Sequence, residues 1–287
     1  MPGEKEMMQQ QQVHKSFLFG CVSGLSSTVL LQPLDVVKTR LQLRSGISSR
    51  LARKNGMTSV FLHIFRSEHP LALYKGLLPS MVRIVPGVGI YFSTLTFLSN
   101  HLNLHPSPVQ SLFVAAVARF CACVALHPFT VIKTQLESGL FKYSGMLQAI
   151  KEISRVGGLK GLYRGLGATV ARDVPFSSCY FMFYNMMKQS ELFESYFVVP
   201  PSAAHFLSGI VAGTLASLIT HPPDVIKTRL QAEPQQYRHA VHAFVDIVQT
   251  ESPRTFFSGI LPRLIRRTLV AAISWTVYER LSVKSIS

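Results

Sequence analysis

Acidic residues are scarce in this chain, with 14 Asp and Glu against 29 Lys and Arg in 287 residues. Charged residues of both signs make up only 15%, well short of the roughly 25% usual for soluble domains. An ordinary soluble domain is therefore disfavoured. Cysteine is also scarce. Cys21, Cys121, Cys123 and Cys179 all lie in apolar stretches, with no CxxC and no Cys/His pair at zinc spacing. Neither a metal site nor a disulfide framework is expected, only buried inert thiols. No Ser/His/Asp set, paired carboxylates, Walker or Rossmann pattern occurs. The ten His are scattered, and His127 and His221 merely precede prolines. No enzyme, catalytic residue or cofactor is expected. The opening MPGEKEMMQQQQVHKS has no apolar core and no Arg-rich pattern, so it reads as neither a secretory signal nor a transit peptide.

What the chain does have is apolar residues, at 48%, and a formal net charge of +15. That hydrophobicity excludes a disordered chain. A chain both apolar and basic suits a membrane protein on anionic lipid, or a nucleic-acid binder. The second needs basic residues gathered on one element of a soluble fold, and their distribution here is different.

The chain repeats itself three times. QPLDVVKTRLQ begins at Gln32, HPFTVIKTQLE at His127 and HPPDVIKTRLQ at His221, so Pro33, Pro128 and Pro222 stand 95 and 94 residues apart. A second landmark follows each: Tyr74-Lys75-Gly76, Tyr163-Arg164-Gly165 and Phe257-Ser258-Gly259. The first unit carries six extra residues between the two landmarks, around Arg44 to Asn55. The division is a tail over 1–13 and repeats over 14–107, 108–201 and 202–287.

Each unit holds an apolar run ending at its Pro, a basic loop containing a short helical pattern, and a second apolar run. The first runs are Ser16–Leu31, Val109–Leu126 and Ala203–Thr220; the second are Met81–Leu98, Ala168–Met187 and Leu264–Val283. Their lengths approach the roughly 20 residues that span a bilayer. Gly20/Gly24 and Gly209/Gly213 form GxxxG pairs suited to close helix packing. The fold class is therefore an all-α membrane protein with six transmembrane helices in three two-helix repeats. The long loops Lys38–Lys75, Lys133–Arg164 and Lys227–Arg263 hold 8, 6 and 5 Lys/Arg; the short connections opposite hold none and one. The positive-inside rule puts the long loops on the inner side and both termini on the other. Basic residues confined to one set of loops suit a membrane surface and exclude a nucleic-acid groove. Parallel repeats are related by an axis along the membrane normal, so equivalent inward-facing residues converge on it.

PxDxxKxR at Pro33 and Pro222, a degenerate copy at Pro128 and the three aromatic-x-Gly landmarks resemble the mitochondrial carrier family over essentially the whole chain. The resemblance implies an inner-membrane carrier with a central cavity, imported without a cleaved presequence, monomeric, with cardiolipin at the matrix loops. RIVPGVGIYF, RDVPFSSCYFMFYN and RRTLVAAISWTVYE are similar to a glycine-carrying branch of that family. They imply import of glycine into the matrix by alternating access, in support of haem biosynthesis.

Seven residues past each landmark Gly stands an Arg: Arg83, Arg172 and Arg266. At 1.5 Å per residue they lie about 10 Å into the membrane, where an Arg costs roughly 2.5–3.5 kcal/mol. Few acids lie within the spans to pair with them, so they should ring a water-filled cavity. In the family these positions resemble substrate contacts. Asp173 follows Arg172, whereas Ile84 and Arg267 follow the others. Several Arg with one Asp suit a ligand carrying a carboxylate and an ammonium, an amino-acid zwitterion. A bridge between Arg172 and Asp173 is disfavoured, because adjacent helix residues do not face each other.

The motif acids and lysines lie about one turn apart, so around a threefold axis the acid of one unit reaches the Lys of the next. Asp35–Lys133 and Asp224–Lys38 are the expected matrix-gate pairs, while Lys227 meets Thr130 where the family has an acid. Gln42 and Gln231 occupy the positions of the family's glutamine brace, with Glu137 in its place in the second unit. On the cytoplasmic side the family's network reduces to Lys188 and Glu279. Arg119 stands where the other units have the second Gly of GxxxG; it either adds a cavity charge or bonds carbonyls of the next helix. Aromatic residues, Trp275 included, are assigned to packing. The competing readings are a carrier of another small amino acid or a keto acid, and a membrane interaction protein that keeps the fold without transport.

Overall fold

The computed structural model describes residues 2–44, 56–101, 108–189 and 201–283, which are helical almost throughout and contain no strand. Each unit is built the same way. In the first, the long helix α1 (Pro2–Gln42) is followed by a short helix α2 (56–63), a π-turn (Ile64–Glu68) and a 3-10 turn (Pro70–Tyr74), then by α3 (Leu77–His101). The second has α4 (Pro108–Ser138), α5 (Met146–Leu162) and α6 (Leu166–Gln189). The third has α7 (Pro201–Ile219), α8 (His221–Ala232), α9 (Ala240–Thr250), a 3-10 turn (Pro253–Phe257) and α10 (Ile260–Val283).

The motif prolines do not act alike. α1 and α4 run through Pro33 and Pro128 without a break, whereas the equivalent helix of the third unit divides at Thr220. The third unit alone has two consecutive prolines, Pro222 and Pro223. Two backbone donors are lost there instead of one, enough to end the helix and start another.

The long helices close a ring. Within units, α1 packs on α3, α4 on α6 and α7 on α10; between units, α3 packs on α4, α6 on α7 and α10 on α1. Among the described residues, the apolar core clusters lie at the motif ends, where each motif segment meets its short surface helix. Val36, Val37, Val60, Ile64 and Leu73 form one such core; Val131, Ile132, Ala149 and Ile153 form its counterpart in the second unit. Elsewhere large apolar side chains such as Leu30, Phe92, Phe113, Met186 and Ile219 point outward, as lipid requires.

Among the described residues, Pro70–Leu98 and Phe113–Ser138 are long and apolar enough to cross a membrane on composition alone. The other long helices carry charge at their inward positions, as Arg172 and Asp173 do on α6. A hydropathy average over such a helix cannot separate its lipid face from its cavity face.

Each landmark Gly has a positive φ: +82° at Gly76, +76° at Gly165 and +79° at Gly259. This lets the chain turn sharply into the second long helix. It also admits the neighbouring unit. A Cβ on Gly76 would stand 2.9 Å from Glu137 Cγ, one on Gly165 3.3 Å from Gln231 Cγ, and one on Gly259 3.2 Å from the Lys38 carbonyl oxygen.

Candidate functional site

The motif segments of α1, α4 and α8 meet at one end of the ring, and their side chains bond in a cyclic order. Lys133 Nζ lies 2.7 Å from Asp35, and Lys38 Nζ 2.5 Å from Asp224. Lys227, at the third position and 7% exposed, lines the same cavity as Thr130. The Thr130 hydroxyl donates to the Leu126 carbonyl of its own helix at 3.3 Å.

One turn further along, a second layer repeats the order. Thr39 donates to Glu137, Thr134 to Gln231 and Thr228 to Gln42, at 2.7, 2.9 and 2.7 Å. Gln42 also donates to Asp224 at 3.1 Å, and Lys133 stands 3.4 Å from Glu137. Arg40, Gln135 and Arg229 each donate to the backbone carbonyl of the residue that accepts from the Thr beside them: Glu137, Gln231 and Gln42. Arg40 then clamps Glu68, and Arg229 clamps Glu251, through both guanidinium nitrogens. Gln135, at the equivalent place, accepts from the Tyr143 hydroxyl instead.

Two carboxylates of the surface network have displaced acidities. Burial pushes the Glu68 carboxyl up, but the Arg40 fork outweighs it and holds the group below its ordinary value. Burial likewise raises Asp246, and the hydrogen bonds from Arg44 and Tyr237 bring it below its ordinary value.

His127 and His221 have structural partners after all. Their Nε2 atoms lie 3.0 Å from the carbonyl oxygens of Arg164 and Ser258, each just before a landmark Gly. A carbonyl only accepts, so both rings carry the proton on Nε2. Gln32 makes the same bond to Lys75 at 2.8 Å. These residues fasten the start of each second helix to its own motif. The regular spacing of Gln32, His127 and His221 before the prolines was the available signal.

Above the ring lies a cavity of about 620 Å³. Arg83, Arg172, Asp173 and Arg266 all line it, together with Phe176, Tyr180 and Tyr184 of α6. Their environments correct two expectations. Arg172 Nε does bond the adjacent Asp173, at 2.7 Å, because the long Arg side chain turns back over its own backbone. Arg172 Nη1 also reaches Asp224 at 2.9 Å, and Arg266 Nε reaches Asp35 at 2.6 Å. The acids that hold these arginines are the motif acids, one layer below, which bind lysines and arginines together. Asp224 thus serves Lys38, Arg172 and, at 3.6 Å, Arg263. Arg83 forms no ion pair among the described residues.

The residues after the three arginines meet the small-residue positions of the first helices. Ile84 stands 3.1 Å from a Cβ built on Gly24, and Arg267 Nε 2.5 Å from one on Gly213. Arg267 can lie there only because position 213 is Gly, and its guanidinium stacks 3.9 Å over Phe176. In the second unit the pair is Arg119 and Asp173. Arg119 is exposed and lies 5.0 Å over the Tyr91 ring. Lys188 is exposed on α6, and the Glu279 side chain lies outside the described residues, as does that of Trp275. The described residues contain no cluster that could hold a metal ion.

A family model described as mitochondrial carrier protein matches the chain three times, over residues 9–106, 104–194 and 199–285. The chain belongs to the mitochondrial carrier family. The carrier is 44% identical to the mitochondrial glycine transporter of Ovis aries over 283 residues, covering 97% of this chain and 92% of that protein. It is 43% identical to the mitochondrial glycine transporter of Homo sapiens over 281 residues, again 97% and 92%. With that of Xenopus laevis it shares 41% over 278 residues, 96% and 92%.

Proposed function

We propose that this carrier imports glycine, or a similarly small amino acid, into the mitochondrial matrix by alternating access across the inner membrane. The observation that carries the reading is the juxtaposition in one cavity of Arg83, without an ion pair among the described residues, and the half-committed carboxylate of Asp173. Asp173 Oδ1 is taken by Arg172, while Oδ2, among the described residues, has the weak Cys123 thiol donor at 3.8 Å. A guanidinium fork receives a carboxylate, and the second Asp oxygen accepts from an ammonium. Those are the two ends of a zwitterion. The names of the similar proteins support the same reading.

Arg172 and Arg266 connect this level to the ring beneath. Each holds a motif acid that also holds a lysine of the next unit. A substrate carboxylate that draws either arginine upward weakens the grip on Asp224 or Asp35. The Lys38 and Lys133 pairs are then loosened, and the ring can open. The substrate contacts are thus Arg83, Arg172, Asp173 and Arg266; the gate is Asp35, Lys38, Lys133, Asp224 and Lys227; Gln42 and Gln231 brace it. Transport of this kind needs no catalytic group.

We further infer that the ring faces the matrix and both termini face the intermembrane space, since 19 of the 29 basic residues lie in the loops on the ring side. Removal of an N-terminal tag by protease after outer-membrane rupture checks this orientation. Exposed apolar residues on the surface helices, among them Leu147, Val156 and Val241, fit an interface with anionic lipid such as cardiolipin. The carrier works as a monomer, and the glycine it delivers supports haem biosynthesis.

Liposomes containing the purified chain are expected to take up labelled glycine. Unlabelled glycine should compete, whereas acetate and methylamine, each with one end of the zwitterion, should not. Uptake no faster than into empty liposomes, or faster uptake of a keto acid, would overturn the reading.

A further inference from the structure

The three contacts between motif segments are built to one plan, and the plan leaves one cation over. Lys38 and Lys133 each meet an aspartate, at 2.5 and 2.7 Å. Lys227 lines the same cavity and is 7% exposed, yet among the described residues it has no carboxylate or carbonyl within bonding distance. Its counterpart Thr130 has turned its hydroxyl to its own helix. The carboxylates nearby are already engaged, Asp224 with Lys38, Arg172 and Arg263 and Asp173 with Arg172.

The surroundings make the imbalance worse. Eight lysines and arginines line the cavity against four carboxylates. A buried ammonium without a counter-ion is costly, and arginines alongside it raise that cost. Any small anion in the cavity is therefore drawn to this corner. Thr130 is shorter than an aspartate, and the corner opens on the cavity, so a single carboxylate group or a halide fits where the other units place an Asp.

We propose that Lys227, opposite Thr130, is a small-anion site in which a bound carboxylate group or halide supplies the third pair of the ring. The occupant is either the carboxylate of the transported solute or a free inorganic ion. The halide form does not depend on which solute is carried, so a failure of glycine uptake leaves it standing.

Thermal unfolding of the purified full-length carrier, with chloride replacing the bulky sulfonate HEPES at constant ionic strength, tests the site. The wild type should be stabilised saturably, by a few degrees at high occupancy. Thr130→Asp supplies a resident carboxylate. It should unfold at a higher temperature without chloride and lose the chloride response. Thr130→Asn has the shape of Asp without its charge and should keep that response. Adding glycine in the same titration separates the two sources. If glycine raises the chloride concentration needed for half the shift, the site takes the solute's carboxylate. If the two shifts are independent, it takes a free anion. Both support the proposal when Thr130→Asp abolishes the response. A wild type indifferent to chloride, or a response fully retained in Thr130→Asp, would overturn it.

Discussion

The contact between α1 and α8 and the contact between α8 and α4 occupy equivalent places in the ring, yet they are furnished very differently. At the first, Asp224 binds Lys38, accepts from Gln42 and reaches Arg172 and Arg263. At the second, Lys227 and Thr130 make no ion pair among the described residues, and the bonds across it are neutral ones from Thr134 and Gln135 to Gln231. The third contact, between α4 and α1, is intermediate in another way: Lys133 is shared between Asp35 and Glu137. Threefold architecture survives because the backbone frame, the Thr layer and the landmark glycines are kept in all three units. Charge is distributed unequally on top of that frame. The difference teaches that the frame and the ion pairs are separable, and that opening the ring need not be symmetric.

The largest effect is expected from Asp224→Asn. Asp224 is 1% exposed and neutralises a cluster of cations. Removing one partner of a buried ionic set costs about 3–5 kcal/mol, seen as a large fall in melting temperature. Thr130→Ala, the equivalent change at the poor contact, should leave the melting temperature nearly unchanged.

Next comes Asp173→Asn, which removes the charge proposed to receive the ammonium and keeps the shape. A hydrogen bond to a charged group contributes about 1.5–3 kcal/mol, so glycine uptake should fall by roughly one to two orders of magnitude. Binding of a simple carboxylate should fall far less. Equal losses for both ligands would assign Asp173 to the support of Arg172 alone.

The frame itself is probed by Gly76→Ala and Gly165→Ala. Both positions have positive φ, which costs an alanine about 1–2 kcal/mol. Gly76 should be the more sensitive, because its Cβ would stand 2.9 Å from Glu137 rather than 3.3 Å from Gln231. Thermal unfolding of the two variants side by side checks the order.

The smallest effect is a pH dependence of the outer clamps. Glu68 has a folded-state pKa below its ordinary 4.5. A lowered carboxylate contributes stability that is fully present above its unfolded value and is lost as pH falls through the folded one. With Glu68 about one-third exposed, solvent screening keeps the loss at or below about 1 kcal/mol. Acid unfolding of wild type and Glu68→Gln should differ most above pH 4.5 and converge as pH falls through the lowered folded-state value.

Much of this arrangement could be read from residue order. The period of 95 and 94 residues, the six long helices and the partners of Lys38 and Lys133 follow from repeating motifs and one symmetry axis. The engagement of Arg172 and Arg266 by the motif acids does not. It depends on how far a seven-atom side chain reaches between layers once the helices tilt together, and a count of acids within apolar runs leaves out Asp35 and Asp224 at their edges. Arg172–Asp173 escaped for a related reason: spacing rules describe Cβ directions, whereas an Arg side chain can curl. His127 and His221 were passed over because their bonds go to backbone carbonyls, which no side-chain pattern displays. The break at Thr220 was written in Pro222-Pro223, the one doubled proline among the three motifs.

Double-mutant cycles across the three contacts test the central claim, that two ion pairs and one unmatched lysine close the ring. The cycles are Asp35→Asn with Lys133→Met, Asp224→Asn with Lys38→Met, and Thr130→Ala with Lys227→Met, each read by unfolding free energy in chloride-free medium. Coupling of about 0.5–3 kcal/mol is expected for the first two and close to zero for the third. A coupling at Thr130–Lys227 as large as the others would contradict the account.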